Sequence, residues 1–514
     1  MPVVAVTAKK RRKVRFPSTS HTASVERVHP QRSQSHLSTS SNFSQAQSLP
    51  KERVKMAEPT AHPAVPPLFQ EPPVIRDTLI TETTELQDET VKKCLPFLGG
   101  YHGSQKGPLN HHGVHALMRD EHIGYLYDSL EDYPGGFVAM DASRPWMIYW
   151  ALAALSLVGE DVTRHRERTI STFTPMQNPT GGFGGGHGQI SHCASSYAAV
   201  LSMAMVGGEE ALSLVDRQAM WEWLGTLKKP DGGITVFDGG EEDVRGAYCA
   251  MVLISLLNLP LTLPPGAKAR EHGLETFTDG LSEYLSRCQT FEGGISGSPG
   301  SEAHGAYAFC ALACLCIIGE PEVTIPKCMD VPLLISWLSA RQYAPEGGFS
   351  GRTNKLVDGC YSHWVGSCWP LVQAALEGVQ DAAAPQQTVG NLYSREGLAR
   401  YILGCCQSKH GGLRDKPGKH PDSYHTCYTL TGLSSIQHHH YHTNSSAIPG
   451  KQFSSAFSWK CRNARESEDG ISDINAFDKS DLLKALHPLY LIPHKAVESM
   501  RLWCEQKPLN DGGA

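Results

Sequence analysis

The chain is 514 residues long and 40% hydrophobic, with a formal net charge of -6. No run of about 20 uninterrupted apolar residues offers a membrane span, and the charge excludes the overall basic footprint of a nucleic-acid binder. Fifteen cysteines, odd in number, without a tight framework and with no apolar signal segment ahead of them, suit a reducing, cytoplasmic setting rather than a secreted disulfide scaffold.

Residues 1–70 are rich in Ser, Gln, His, Pro and basic side chains and poor in periodic apolar ones, so they cannot repay the entropy of ordering and are predicted to form a disordered tail. The run Lys9-Lys10-Arg11-Arg12-Lys13-Val14-Arg15 has the composition of a nuclear-import or polyanion-binding patch, and equally of a solvated charge run. Residues 71–514 are predicted to form one domain.

Within it, Gly-Gly followed by a hydrophobic residue recurs at Gly135, Gly181, Gly232, Gly293, Gly347 and Gly411, at intervals of 46 to 64 residues. Each pair follows an amphipathic stretch, often ending in Gln (Gln177, Gln289, Gln342, Gln407), and precedes an apolar one such as Tyr307 to Ile318. The predicted unit is helix, glycine turn, helix. Cys310, Cys314 and Cys316 on that apolar stretch read as small buried hydrophobes.

The start of each apolar helix carries a pair spaced i, i+3: Trp146/Tyr149, Ala194/Tyr197, Arg245/Tyr248, His304/Tyr307, Tyr361/Trp364 and His425/Tyr428. That spacing puts both side chains on one helical face. An aromatic at the second position of all six pairs predicts a shared, lined cavity rather than six separate cores, and six helical hairpins in a ring would bring the pairs together at one mouth. The predicted fold is all-α, an α/α toroid of six hairpins. Low-complexity breaks fall at 381–389 and in a polar insertion at 437–469, whose cluster of His438, His439, His440 and His442 is predicted to lie in a surface loop that could bind metal adventitiously.

In Lys355-Leu-Val-Asp358-Gly-Cys360-Tyr361, a carboxylate and a thiol stand two residues apart at a tight entry to a helix, and one repeat later His425 occupies the position of Tyr361. Zinc accepts oxygen, sulfur and nitrogen ligands, and a catalytic site keeps one position open beside three protein ligands. A thiol taken up there would be held as thiolate. Arg352 and Lys355 flank the loop, while His304 and Arg245 stand at equivalent positions in earlier repeats; together they suit an anion such as diphosphate.

Gly351-Arg352-Thr-Asn354-Lys355-Leu-Val-Asp358-Gly-Cys360-Tyr361-Ser-His-Trp364 and Pro421-Asp422-Ser-Tyr424-His425-Thr-Cys-Tyr428 closely resemble the β subunits of protein farnesyltransferases. So do Asp141-Ala-Ser-Arg-Pro-Trp146, Gly182-Phe-Gly-Gly-Gly186, Glu242-Asp243-Val-Arg245-Gly-Ala-Tyr248 and Glu302-Ala-His304-Gly-Ala-Tyr307, and the resemblance is collinear from about residue 80 to about residue 500. It implies one zinc ion on Asp358, Cys360 and His425, with diphosphate held by His304, Arg352, Lys355 and Tyr361. It also implies an isoprenoid pocket lined by Trp146, Arg245, Tyr248, Gly305, Tyr307, Cys310, Trp364 and Tyr428. Ser143, Trp146, Trp150, Asp422 and Tyr424 would meet the C-terminal residue of a peptide.

The implied reaction moves a 15-carbon farnesyl group from farnesyl diphosphate to the cysteine of a C-terminal Cys-aliphatic-aliphatic-X motif, on proteins such as Ras-type small GTPases. The implied assembly is an αβ heterodimer. Trp146 and Tyr428 are bulky where the related geranylgeranyl enzymes leave room for 20 carbons, and Asp415 matches a carboxylate linked to magnesium near the diphosphate; both favour farnesyl. The long tail and the 437–469 insertion depart from the common core and suggest a lower-eukaryote, fungal version. Geranylgeranyltransferases, type I or Rab-directed, are the enzyme alternative, whereas a triterpene cyclase would need an Asp-x-Asp-Asp acid that is absent. A non-catalytic toroid of the thioester type is the alternative from another class. Gly404-Cys-Cys-Gln407 matches its motif poorly and is better explained as an ordinary helix end.

Overall fold

The computed structural model describes residues 79–98, 108–131, 133, 135–379, 392–443, 452–464, 476–507 and 509; the predicted tail, its basic run and the 381–389 break lie outside the described residues. Helix α1 is Glu82–Leu98. Six hairpins follow, each pairing an outer helix with an inner one. They are α2 (Arg119–Asp128) with α3 (Arg144–Val158), α4 (Arg166–Phe173) with α5 (Cys193–Val206), and, past the single turn α6 (Glu209–Leu212), α7 (Arg217–Leu227) with α8 (Val244–Leu256). Next come α9 (Leu281–Arg287) with α10 (Gly305–Ile318), and, past α11 (Pro321–Cys328), α12 (Val331–Ser339) with an inner helix split into α13 (Tyr361–Trp364) and α14 (Cys368–Glu377). The sixth pairs α15 (Arg395–Tyr401) with α16 (Ser423–Gln437), and α17 (His494–Gln506) comes last.

The inner helices α3, α5, α8, α10, α13 and α16 pack on one another in chain order, and α16 packs back on α3, so the ring closes as an α/α toroid. Their composition explains their place: α10 is apolar on every face and almost wholly buried, Cys310, Cys314 and Cys316 included, as a helix covered on all sides must be. Side chains cap the backbone N–H groups that a helix start leaves unpaired: Asp243 on α8, Asp422 on α16, and the Nδ1 atoms of His192 and His304 on α5 and α10.

The recurrent glutamines are clamps between hairpins. Gln289 Nε2 donates to the Asp330 carbonyl and its Oε1 accepts from Asp330 N–H, at 3.0 and 2.7 Å; Asp330 is the N-cap of α12. Gln177 grips Leu214 O and Asp216 N the same way at the start of α7, and Gln342 grips Ser394 at the start of α15. Gln407 closes the circle, bonding Ala116 O and the N–H of Met118, the N-cap of α2, at 3.0 and 2.8 Å. At the third hairpin buried Lys228 substitutes, its Nζ donating to Gly232 O and Phe277 O.

Five of the six glycine pairs make the expected turn. Gly293, for one, has φ +95°, and an added Cβ would lie 2.2 Å from Leu333 O on the next outer helix. Gly135-Gly136 does not: both residues open a 3₁₀ helix, Gly135–Ser143, with free space where a Cβ would go. The end at 404–407 departs from an ordinary helix end as well, being a π-helical turn, Ile402–Cys406, before the Gln407 clamp.

The histidine cluster is not a surface loop. His438–His442 forms strand β1, antiparallel to β2, Trp459–Asn463, and its side chains alternate so that His438, His440 and His442 are buried. His442 Nε2 meets Ser455 Oγ at 3.2 Å, and that hydroxyl donates to Gly319 O, seating the hairpin on the ring. The polar composition that suggested a loop concealed a strand whose partner stands farther along the chain. Beyond it, the buried segment Leu486–Ile492 runs against the inner helices, where Tyr248 Oη donates to Leu489 O (2.6 Å) and Tyr149 Oη to Leu491 O (3.2 Å).

Candidate metal centre and its aromatic surroundings

The loop before α13 and the start of α16 are tied into one frame. Asp358 N–H donates to Phe349 O, and Gly359 N–H crosses to Asp415 O at 2.8 Å. Asp358 Oδ1 accepts from Cys360 N–H at 2.9 Å, which folds carboxylate and thiol toward one point. Asp422 caps α16 by accepting from the His425 N–H at 2.7 Å, and its other oxygen lies 2.7 Å from His425 Nδ1. The ring is thereby turned so that Nε2 stands 3.3 Å from Asp358 Oδ1. One donor atom each from Asp358, Cys360 and His425 lie within 4.8 Å of one another.

The electrostatics of this trio suit a cation. Burial opposes ionisation of Asp358, but the hydrogen bond and charge of His425 outweigh it and hold the carboxyl at about 2. Burial likewise opposes charge on His425, and hydrogen bonds to Asp358 and Asp422 overcome it and raise its pKa. Burial and the Asp358 charge push the Cys360 thiol up to about 12. The group therefore gathers protons around a point where an oxygen, a sulfur and a nitrogen converge, and a divalent ion there would replace them. The donor set and its proximity fit zinc, with Asp422 as the partner that fixes the imidazole tautomer.

Beside the trio lies a polar rim. His304 Nδ1 accepts from Ala306 N–H, so its Nε2–H points to Tyr361 Oη at 3.0 Å, leaving the phenol proton available to an incoming oxygen. Gly351 makes room for this ring, since an added Cβ would lie 1.9 Å from Tyr361 Cζ; Gly305, whose Cβ would press on Val365, brings the start of α10 against α13.

Rings from all six inner helices make a closed belt. Trp146 stacks on Trp150 (5.7 Å between centroids), Trp150 meets Tyr424 (5.4 Å), Tyr424 meets Tyr428 (4.9 Å) and Tyr428 meets Trp364 (4.6 Å). Trp364 continues to Phe309 (5.9 Å), Phe309 to Tyr248 (5.8 Å), Tyr248 to Tyr197 (5.6 Å), and Tyr197 back to Trp146 (5.6 Å). Tyr424 joins belt to trio: its Oη accepts from Trp364 Nε1 at 3.0 Å and its ring lies 5.0 Å from that of His425.

Other expected residues have partners of their own. Arg352 is paired with Glu302 at 2.8 Å, and Arg245 with Asp243 and Glu241 while lying over the Tyr307 ring. Lys355 is exposed, Ser143 is half-buried at the start of α3, and Cys310 is buried in α10. Asp415 is paired with Lys416, and burial together with the nearby Asp358 charge raises its pKa. Asp422, expected to meet a peptide, has its carboxylate on His425. Phe309 and His363 were missed. Each sits two residues past a member of the i, i+3 pairs, and His363 stacks on Tyr428 at 5.0 Å; no local signal marked either.

The family model of the prenyltransferase alpha-alpha toroid domain matches residues 117–492. The chain is 51% identical over 449 residues to a protein farnesyltransferase subunit beta of Pyricularia oryzae, covering 86% of this chain and 85% of that one. A geranylgeranyl transferase type-1 subunit beta of Arabidopsis thaliana is 27% identical over 62% of this chain and 85% of its own. In fold, the chain is similar to a solved Candida albicans protein geranylgeranyltransferase-I complexed with GGPP, with TM-score 0.53 and 18% identity over 75% of this chain and 98% of that one.

Proposed function

Because this chain belongs to the protein farnesyltransferase β-subunit family of α/α toroids, we propose that its aromatic belt binds the farnesyl chain of farnesyl diphosphate and that Asp358, Cys360 and His425 hold a catalytic zinc. The observation that carries the proposal is the convergence of those three donors beside Tyr424, a member of the belt. A zinc ion there would supply an open fourth position and acidify a bound thiol, so that a C-terminal cysteine is presented as thiolate.

The chain's own residues do the rest. Stacked rings match a flexible apolar chain and exclude water from it. His304, donating through Nε2–H to Tyr361 Oη, turns the Tyr361 hydroxyl proton toward the diphosphate, where Lys355 would join it, as would Arg352 once it leaves Glu302. As the sulfur–carbon bond forms at the first isoprenoid carbon, the carbon–oxygen bond breaks and its electrons depart on diphosphate. Those donors act where that negative charge grows. Trp150, Tyr424 and Ser143 would meet the end of the peptide, and Asp415 would hold magnesium on the departing diphosphate. An α subunit completes the enzyme as a heterodimer.

The far lower identity to the type-1 geranylgeranyl subunit and the bulk of Trp146 and Tyr428 in the belt favour a 15-carbon donor. The test is to co-purify the chain with an α subunit and supply both prenyl diphosphates with peptides ending in Cys-aliphatic-aliphatic-X. Thioether formation with the 15-carbon donor is expected; preference for the 20-carbon donor would overturn the assignment.

A further inference from the structure

A second set of ligand atoms stands where the 437–469 insertion meets the start of α17. His440 on β1 is paired directly across the ladder with Cys461 on β2, which puts both side chains on one face with their Cβ atoms about 5 Å apart. His494, the first residue of α17, completes the set: one ligand atom from each lies within 4.8 Å of the others. Nothing in the farnesyl-transfer chemistry uses these residues.

Their ring nitrogens single out the two histidines. His440 Nδ1 and His494 Nε2 are both buried without a hydrogen-bond partner, although an unpaired buried polar atom costs about 1–3 kcal/mol. His487, whose ring lies 4.9 Å from His494, accepts from Leu489 N–H through Nδ1; its Nε2 thus carries a proton and is a donor, not a ligand.

We propose that His440, Cys461 and His494 bind a second zinc ion, which staples the β1–β2 hairpin to the start of α17. Two imidazoles and one thiolate suit zinc, and the fourth position falls to solvent on the side where Cys461 and His494 are only half-buried. Binding exchanges the Cys461 thiol proton for the metal, with no change in oxidation state.

The test uses the full chain co-purified with its α subunit and zinc-buffered solutions, with bound metal counted by mass spectrometry. Two equivalents are expected in the wild type, and one in Cys461→Ser and in His494→Gln, both retaining farnesyl transfer. Cys360→Ala should also keep one equivalent while losing transfer, which separates the two sites. A mutation-free readout accompanies these: zinc should slow alkylation of Cys461 by iodoacetamide at least tenfold. A single equivalent in the wild type at saturating free zinc, two equivalents surviving in both Cys461→Ser and His494→Gln, or alkylation indifferent to zinc would overturn the site; copper in place of zinc would overturn the ion.

Discussion

Asp422 holds His425 twice, accepting from its backbone N–H and standing 2.7 Å from Nδ1, so one carboxylate both starts α16 and aims the imidazole at Asp358. The two roles separate in Asp422→Asn, because asparagine still caps a helix but cannot supply the charge. Zinc affinity is expected to fall about 10–100-fold with thermal stability nearly unchanged. Competition with a metal-binding dye checks it, and wild-type affinity in the variant would refute the orienting role.

Cys360→Ala should remove the zinc at this site and abolish thioether formation while the helical content measured by circular dichroism stays intact. Transfer activity that survives with the zinc count unaltered would show that the ligands are elsewhere.

Zinc uptake should depend on pH. The Cys360 thiol sits at about 12 and the Asp358–His425 pair holds a proton between them, so metal must displace protons to bind. Affinity should therefore rise with pH, by roughly tenfold per unit for each proton released. Titrations at two pH values in zinc buffers measure the slope; a flat profile would mean that the ligands are already deprotonated.

Trp146 lies in the belt against Tyr197 and Trp150, and Trp146→Thr should open space there. Use of the 20-carbon donor should rise relative to the 15-carbon one, read as the ratio of kcat/KM values. No change in that ratio would count against Trp146 as a determinant of length.

Gln407→Ala strips partners from Ala116 O, Met118 N and the His122 ring, which Gln407 Oε1 meets at 2.9 Å. A loss of about 2–4 kcal/mol is expected from buried groups left unpaired, seen as a lower denaturant midpoint. A midpoint equal to the wild type would show that water takes over those bonds.

Much of the ring was legible because its repeat is written in residues with strong local requirements. Glycines with positive φ, aromatics at i, i+3 and the Asp-x-Cys step each constrain one turn of chain. The pairing of Asp422 with His425 was not legible, because its partner is its own helix, a contact that spacing alone does not distinguish from a ligand contact. Phe309 and His363 join the belt only through packing between helices. His438–His442 misled for a different reason: histidine is polar in composition, yet a neutral imidazole packs in a strand when a partner such as Trp459–Asn463 covers it, and that pairing is nonlocal.

The clamp of Gln407 on Met118 matches that of Gln289 on Asp330, so the last hairpin treats the first as its successor. An open array of repeats grows or shrinks by whole units and protects its ends with special caps. This ring has no ends to protect, and one hairpin more or fewer would leave a glutamine with nothing to grip. Change in length is thus confined to the connections between hairpins. The β1–β2 hairpin shows what that freedom permits: new chain, with its own candidate metal ligands, added outside a count that cannot vary.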